Sequence, residues 1–164
     1  MRKFIFILTI VAALGISNDL MSQSYKSAIG ARLGYPFSAS YKTFLNETNA
    51  VELNLGFRPF VFGSWISGAA AYQIHKDIPS VAGLRWYYGG GGIVSFYTYN
   101  SSYLDDAGGI GFGIQGYLGL DYVFEDIPLN VSVDWVPTFF IGNGYYTGFG
   151  AGYGALSARY ILNR

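Results

Sequence analysis

The stretch "PLNVSVDWVPTFFIG" (residues 128–142) decides how the rest of the chain is read. Leu129, Val131, Val133, Trp135, Phe139 and Ile141 fall on odd positions, so one face of an extended segment is continuously apolar. Asn130, Ser132 and Asp134 stand on the other face. Pro137, which has no amide proton to give a ladder, interrupts the run. In a soluble sheet the lone carboxylate and the proline would both be faults. The same alternation elsewhere in the chain gives them a different meaning.

Turn chemistry divides the chain after residue 26 into eight candidate strands: 27–35, 37–45, 50–62, 65–75, 81–97, 109–124, 129–141 and 149–162. The breaks are "NETN" (46–49), "HKDIPS" (75–80), "NSSYLDDAGG" (100–109), "EDIP" (125–128) and "GNGYYTG" (142–148), with less marked turns at Pro36 and Gly63-Ser64. On the sixth strand Ile110, Phe112, Ile114, Leu118 and Leu120 oppose Gly111, Gly113, Gln115, Tyr117 and Asp121. On the third, Val51, Leu53, Leu55 and Phe57 oppose Glu52, Asn54, Gly56 and Arg58. Leu156, Ala158, Tyr160 and Leu162 oppose Ser157 and Arg159 on the last.

The polar faces are too poor in charge for water. Charged residues make up 12% of the 164-residue chain, about half the level usual in soluble domains. Over the strands the polar faces carry only Arg32, Lys42, Arg58, Arg85 and Arg159 against Glu52, Asp121 and Asp134. So small and nearly balanced a set suits a narrow interior that pairs its charges internally. The apolar faces, including Leu118, Leu120, Val131, Val133 and Trp135, are too many to share that interior and are expected to face lipid. Apolar-out, polar-in alternation in segments of about ten residues is the signature of a membrane barrel, and only a closed barrel satisfies every strand edge in hydrocarbon. The fold class expected is all-β: a closed, antiparallel, eight-stranded, up-and-down transmembrane β-barrel.

Arg2 and Lys3 precede an apolar core at 4–16, "FIFILTIVAALGI", which is too short to span a bilayer and fits a secretory signal. Cleavage near Ser22/Gln23 would leave residues 23–164 as the barrel domain. An even strand number puts both termini and the turns "NETN", "HKDIPS" and "EDIP" on the periplasmic side. Aromatic belts are then expected from Tyr72, Tyr122, Phe124 and Tyr160 below, and from Tyr35, Trp65, Phe96, Phe139 and Phe149 above.

In this pattern the chain resembles the small eight-stranded outer-membrane barrels of the OmpA-transmembrane-domain and OmpX type. The segment "GYLGLDYVFEDIPLNVSVDWVPTFF" (116–140) is similar to one common in outer-membrane β-barrel domain proteins. The resemblance implies outer-membrane localisation, with lipids and lipopolysaccharide as neighbours and the barrel-assembly machinery and periplasmic chaperones as partners in biogenesis. It also implies a monomer. The alternating "GYGALSARYIL" (152–162) would serve as the C-terminal assembly signal, although the family pattern usually ends on Phe or Tyr and this chain continues to "ILNR".

Enzymatic chemistry is not expected. The one histidine, His75, reads as part of a periplasmic turn, away from any outer-leaflet substrate. Asp105-Asp106 form a loop pair with no base beside them, and no His, Asp or Glu cluster has metal-ligand spacing. "YYGGGG" (87–92) lies in a strand with no helix behind it, so it is not a phosphate cradle. There is no cysteine, and the zero net charge offers nucleic acid no attraction. No cofactor and no metal are expected. Three readings stay open: a polar, plugged barrel with a structural or surface-interaction role; a narrow pore for small solutes; and a soluble lipocalin-like binder. The outer loop is too short for a large adhesin. Gly89, Gly91, Gly111 and Gly113 favour a wet space in the outer half of the interior.

Overall fold

The computed structural model describes residues 25–61, 63–99, 109–141 and 147–164. The expected signal segment, the Asp105-Asp106 pair and most of the "GNGYYTG" turn lie outside these residues.

The strand segments are β1 Ser27–Gly34, β2 Phe37–Phe44, β3 Asn49–Phe60, β4 Gly63–Asp77, β5 Leu84–Tyr99, β6 Gly109–Val123, β7 Leu129–Trp135, β8 Thr138–Ile141, β9 Gly148–Gly150 and β10 Gly154–Asn163. Every pairing is antiparallel, and β5 pairs with both β4 and β6 while β1 pairs with both β2 and β10. The sheet therefore closes. Segments β7 and β8 are one interrupted strand, and β9 and β10 another, so the wall is an eight-stranded up-and-down barrel.

The two interruptions face each other across the wall. Against β6 the register runs unbroken through the proline, from Leu118 opposite Trp135 to Gln115 opposite Thr138. The Gly116 amide donates to the Pro137 carbonyl at 2.9 Å, and only the proline's own missing donor is lost. Against the last strand the register slips. Trp135 pairs with Gly154 and Thr138 with Gly150, so residues 151–153 oppose only 136–137. That extra residue is a β-bulge, and the Val136 amide meets it by donating to the Tyr153 carbonyl at 2.8 Å. Pro59 is a simpler case, because it stands beyond Phe57, the last β3 residue paired with β2.

Alternation sorts the side chains. At the end that holds the termini, Tyr25, Ala28, Phe44, Ala50, Val123 and Ile161 form an apolar layer inside the barrel. At the other end Trp65, Ile93 and Phe140 pack with Tyr97 and Tyr153. Polar residues lie between these layers. Outside, large apolar side chains ring the barrel uncovered by protein: Leu33 is 60% exposed, Leu55 72% and Ile114 63%. Leu118, Leu120, Val133 and Trp135 are on this outer face, with Val131 half-buried among them. Soluble monomers do not display apolar patches on this scale.

Two readings of β4 need correction. Its inward set is Trp65, Ser67, Ala71, Gln73 and His75. Trp65 is thus no belt residue; its ring lies inside, 5.6 Å from that of Tyr97. His75 is in the strand, not in the turn, and is fully buried against Phe44 and Tyr87. The sequence "WISGAAAYQIH" misleads here because Gly68 and Ala70 weaken its apolar outer face.

Two glycines are required by geometry. Gly83, in the turn before β5, has φ +77°, and a Cβ there would lie 2.4 Å from the Val123 carbonyl oxygen. At Gly91 a Cβ would lie 2.2 Å from the Ala70 carbonyl oxygen. Gly91→Val should therefore force the β4–β5 ladder apart and destabilise the barrel by about 1–3 kcal/mol, as overpacking does. Urea titration of the refolded protein would measure it, and an unchanged midpoint would contradict this close approach.

Candidate functional site

The polar interior is built by strand parity. Even positions of β1, β2, β3 and β7, and odd positions of β4, β5, β6 and β10, point inward, so charges far apart in sequence share one narrow space. Arg32, Lys42, Glu52, Asp121, Asp134 and Arg159 meet there, three cations against three carboxylates, all essentially excluded from solvent.

Glu52 is the hub. Its Oε1 accepts from Arg32 Nη1 at 3.0 Å, from Ser40 Oγ at 2.7 Å and from Arg159 Nη2. Its Oε2 accepts from Gln73 Nε2 at 2.7 Å, with Lys42 Nζ 3.7 Å away. Asp134 takes a bidentate pair from Arg32, Nη1 to Oδ2 at 2.9 Å and Nη2 to Oδ1 at 2.8 Å, and a 2.6 Å hydrogen bond from the Tyr87 hydroxyl. Two parallel charge-assisted bonds fix orientation as well as charge. Asp121 has Lys42 Nζ at 3.4 Å and accepts from Asn130 Nδ2 at 2.9 Å. Arg159 completes the set by donating from Nε to Ser40 Oγ at 2.8 Å and from Nη1 to Ser132 Oγ at 2.8 Å and Asn130 Oδ1 at 3.2 Å. Lys42 Nζ also stands 4.5 Å from the centre of the Tyr87 ring.

Two expected members lie elsewhere. Arg85 is at the terminus end, where its Nε donates to Asp77 Oδ1 at 2.6 Å and its Nη2 to the Glu47 carbonyl at 2.8 Å. The place beside Asp134 is not taken by Arg85. Arg32 holds that place, because β10 alone separates β1 from β7 and both side chains point into the same narrow space. Arg58 is at the opposite end, its guanidinium 3.3 Å over the Tyr35 ring, and forms no ion pair among the described residues. Asn130 and Ser132 share the polar face of Asp134 in the sequence pattern, but nothing in the sequence marks Ser40 or Gln73. Ser40 shares inward parity with Lys42 two positions away, whereas Gln73 lies on the strand with the least marked faces.

The Arg85–Asp77 pair supplies an internal contrast, since the Asp77 side chain is 75% exposed. Asp77→Asn should change stability by no more than about 1 kcal/mol, the range of solvent-exposed pairs. A larger loss in urea unfolding would show that this rim pair belongs to the buried network.

Among the described residues, no hydroxyl nucleophile is hydrogen-bonded to the His75 ring. His75 Nε2 lies 3.4 Å from Gln73 Oε1, and its Nδ1 has no partner, so no hydroxyl is held against it. Among the described residues no three His, Asp or Glu side chains converge as a metal-ligand group.

No protein-family model matches the sequence, and no curated protein matches it. Solved structures do. The N-terminal β-barrel domain of Pseudomonas aeruginosa OprF is similar with a TM-score of 0.59 at 17% identity, over 82% of this chain and 93% of that one. Neisserial surface protein A (NspA) is similar with a TM-score of 0.60 at 10% identity, over 83% of this chain and 93% of that one. At these identities the likeness is one of fold: the chain has the eight-stranded barrel architecture of outer-membrane proteins.

Proposed function

We propose that this chain is a non-enzymatic integral barrel protein of the bacterial outer membrane, with a plugged polar interior and a membrane-structural or surface-interaction role. The observation that carries the reading is the inverted partition of a closed barrel. Apolar side chains as large as Leu55, Phe57 and Ile114 stand uncovered outside, while every member of the Glu52 network is buried inside. Hydrocarbon is the solvent that makes this arrangement favourable, because the closed sheet leaves few backbone groups without partners. Outer-membrane lipid and lipopolysaccharide are the neighbours such a surface takes. Export by the 1–22 segment and insertion by the barrel-assembly machinery, with periplasmic chaperones, are the route.

The plug rests on three stacked layers: the Tyr25–Phe44 cluster, the ion-pair network and the Trp65–Phe140–Tyr97 cluster. An eight-stranded barrel is only wide enough for its own side chains. Protein refolded in detergent should migrate differently on a gel with and without boiling. Identical mobility, together with solubility in the absence of detergent, would instead support a lipocalin-like binder. In planar bilayers the protein should give no sustained conductance; steady channels would favour the narrow pore.

A further inference from the structure

The outward row of β4 ends on a charge. Lys76 is exposed on the outer face near the terminus end of the strand, its Nζ 5.8 Å from the centre of the Trp86 ring. Trp86 in turn stacks on Tyr88, ring centres 5.4 Å apart. The neighbouring Asp77 is taken by Arg85, and Lys76 forms no ion pair among the described residues.

Its height on the wall is that of a membrane surface. Ser64 is the polar residue at the other end of the same outward row, and Ile66, Gly68, Ala70, Tyr72 and Ile74 stand between them. The twelve residues from Ser64 to Lys76 cover about 40 Å along a strand, which is about 30 Å across a membrane at the tilt of such barrels. That is one hydrocarbon thickness. Lys76, Trp86 and Tyr88 therefore stand where headgroups meet acyl chains on the side of the termini, the level that interfacial aromatics take.

Deeper than these rings the wall is bare. Gly90 lies opposite Tyr72 and Gly116, and Gly92 opposite Ala70 and Ile114, so Ala70, Gly90, Gly92 and Gly116 form a shelf on the outer face. Gly90 and Gly92 are exposed, and the fold requires glycine at neither: an added Cβ would meet nothing nearer than a carbonyl oxygen at 3.7 Å. The inward glycines of the same strand differ. A Cβ at Gly89 or Gly91 would lie 2.1 or 2.2 Å from the Tyr72 or Ala70 carbonyl oxygen. These two, expected to line a wet space, close on β4 instead, and Gly111 and Gly113 face Tyr97 and Ile93. Glycine weakens a strand and marks places where another molecule or backbone comes close. At Gly90 and Gly92 the open side is the outer one.

We propose that this face seats one anionic glycerophospholipid of the leaflet on the side of the termini. Its phosphate lies on Lys76, its ester region against Trp86 and Tyr88, and an acyl chain along the Gly90–Gly92 shelf. The unpaired cation selects the charge of the headgroup. Gly90 and Gly92 follow Trp86 by four and six residues, about 10–15 Å deeper, which keeps the shelf within one leaflet's half of the hydrocarbon core. The seat exists only if the barrel spans a membrane, so it rests on the reading above.

Trp86 reports on its own surroundings. Trp65 is inside the barrel, so Trp135→Phe leaves Trp86 as the tryptophan that faces lipid. This parent variant, refolded into phosphatidylcholine vesicles with its heat-dependent gel shift intact, is titrated with phosphatidylglycerol or phosphatidylcholine carrying brominated chains, which quench indole fluorescence on contact. Phosphatidylglycerol should bind beside Trp86 about fivefold more tightly than phosphatidylcholine, the attraction of one basic side chain at a charged surface. Lys76→Gln should abolish the preference and Lys76→Arg should keep it. Gly92→Leu, which fills the shelf, should reduce it. Equal quenching by the two lipids in the parent would overturn the seat and leave the membrane barrel standing. Quenching by neither would overturn the membrane reading itself. A preference that survives Lys76→Gln or Gly92→Leu would overturn the part given to that residue. Loss of a chemically cross-linked dimer in Gly92→Leu, with the lipid preference intact, would assign the shelf to a second copy of the chain.

Discussion

Glu52→Ala should destabilise the barrel by about 3–5 kcal/mol, the loss found when one partner of a buried ion pair is removed. Glu52 is the one carboxylate that touches both Arg32 and Arg159, and Lys42 approaches it as well. Its removal leaves Arg159 with only neutral partners, Ser40, Asn130 and Ser132. Gln73 and Ser40 lose their acceptor at the same time. One buried cation, Arg159, then has no counter-ion, because Arg32 keeps Asp134 and Lys42 keeps Asp121. Urea unfolding in detergent, followed by gel mobility, would measure the change, with Asp77→Asn as the exposed-pair control. A loss below about 1 kcal/mol, the range of exposed pairs, would mean that water reaches the network and that the interior is not plugged.

The second large effect lies on the other side of the wall. Leu118→Arg and Leu120→Arg should each cost about 2–4 kcal/mol if these residues meet lipid near the midplane. Both stand half exposed on the outer face of β6, opposite Trp86, Tyr88, Val133 and Trp135, none of which is a carboxylate. In a water-soluble barrel the same changes would be neutral or would raise solubility, because that face would already be wet. Refolding into lipid vesicles therefore separates the two environments. Stability unchanged by both substitutions would reject a lipid-facing β6.

The alternation of "PLNVSVDWVPTFFIG" was enough to place Asp134 inside and Trp135 outside, because side-chain direction along a strand has a period of two whatever the neighbours are. The same rule put Arg32, Lys42, Glu52, Asp121 and Arg159 on one inner surface. It is least informative on β4, where glycine and alanine sit on the outer face and the contrast between faces fades; Trp65 was misplaced there. It does not choose the cation for Asp134, since parity tells which way a side chain points but not how high in the barrel it lies. Height depends on the register of each ladder, and registers are decided by pairings such as Ser157 with Arg32 and Ala155 with Asp134.

Pro137 shows the same division. The sequence marks the lost donor, but only the assembled wall shows how it is accommodated. The ladder to β6 continues past the proline through the Gly116 amide, while the extra residue falls on the neighbouring strand at 151–153. From the sequence alone come the barrel class, the strand number and the two faces, because these follow from local periodicity and from how few charges the polar faces carry. The Glu52 hub and the Arg32–Asp134 pair belong to the tertiary structure. Both depend on closing the sheet, which brings residues 102 and 107 positions apart into hydrogen-bond distance.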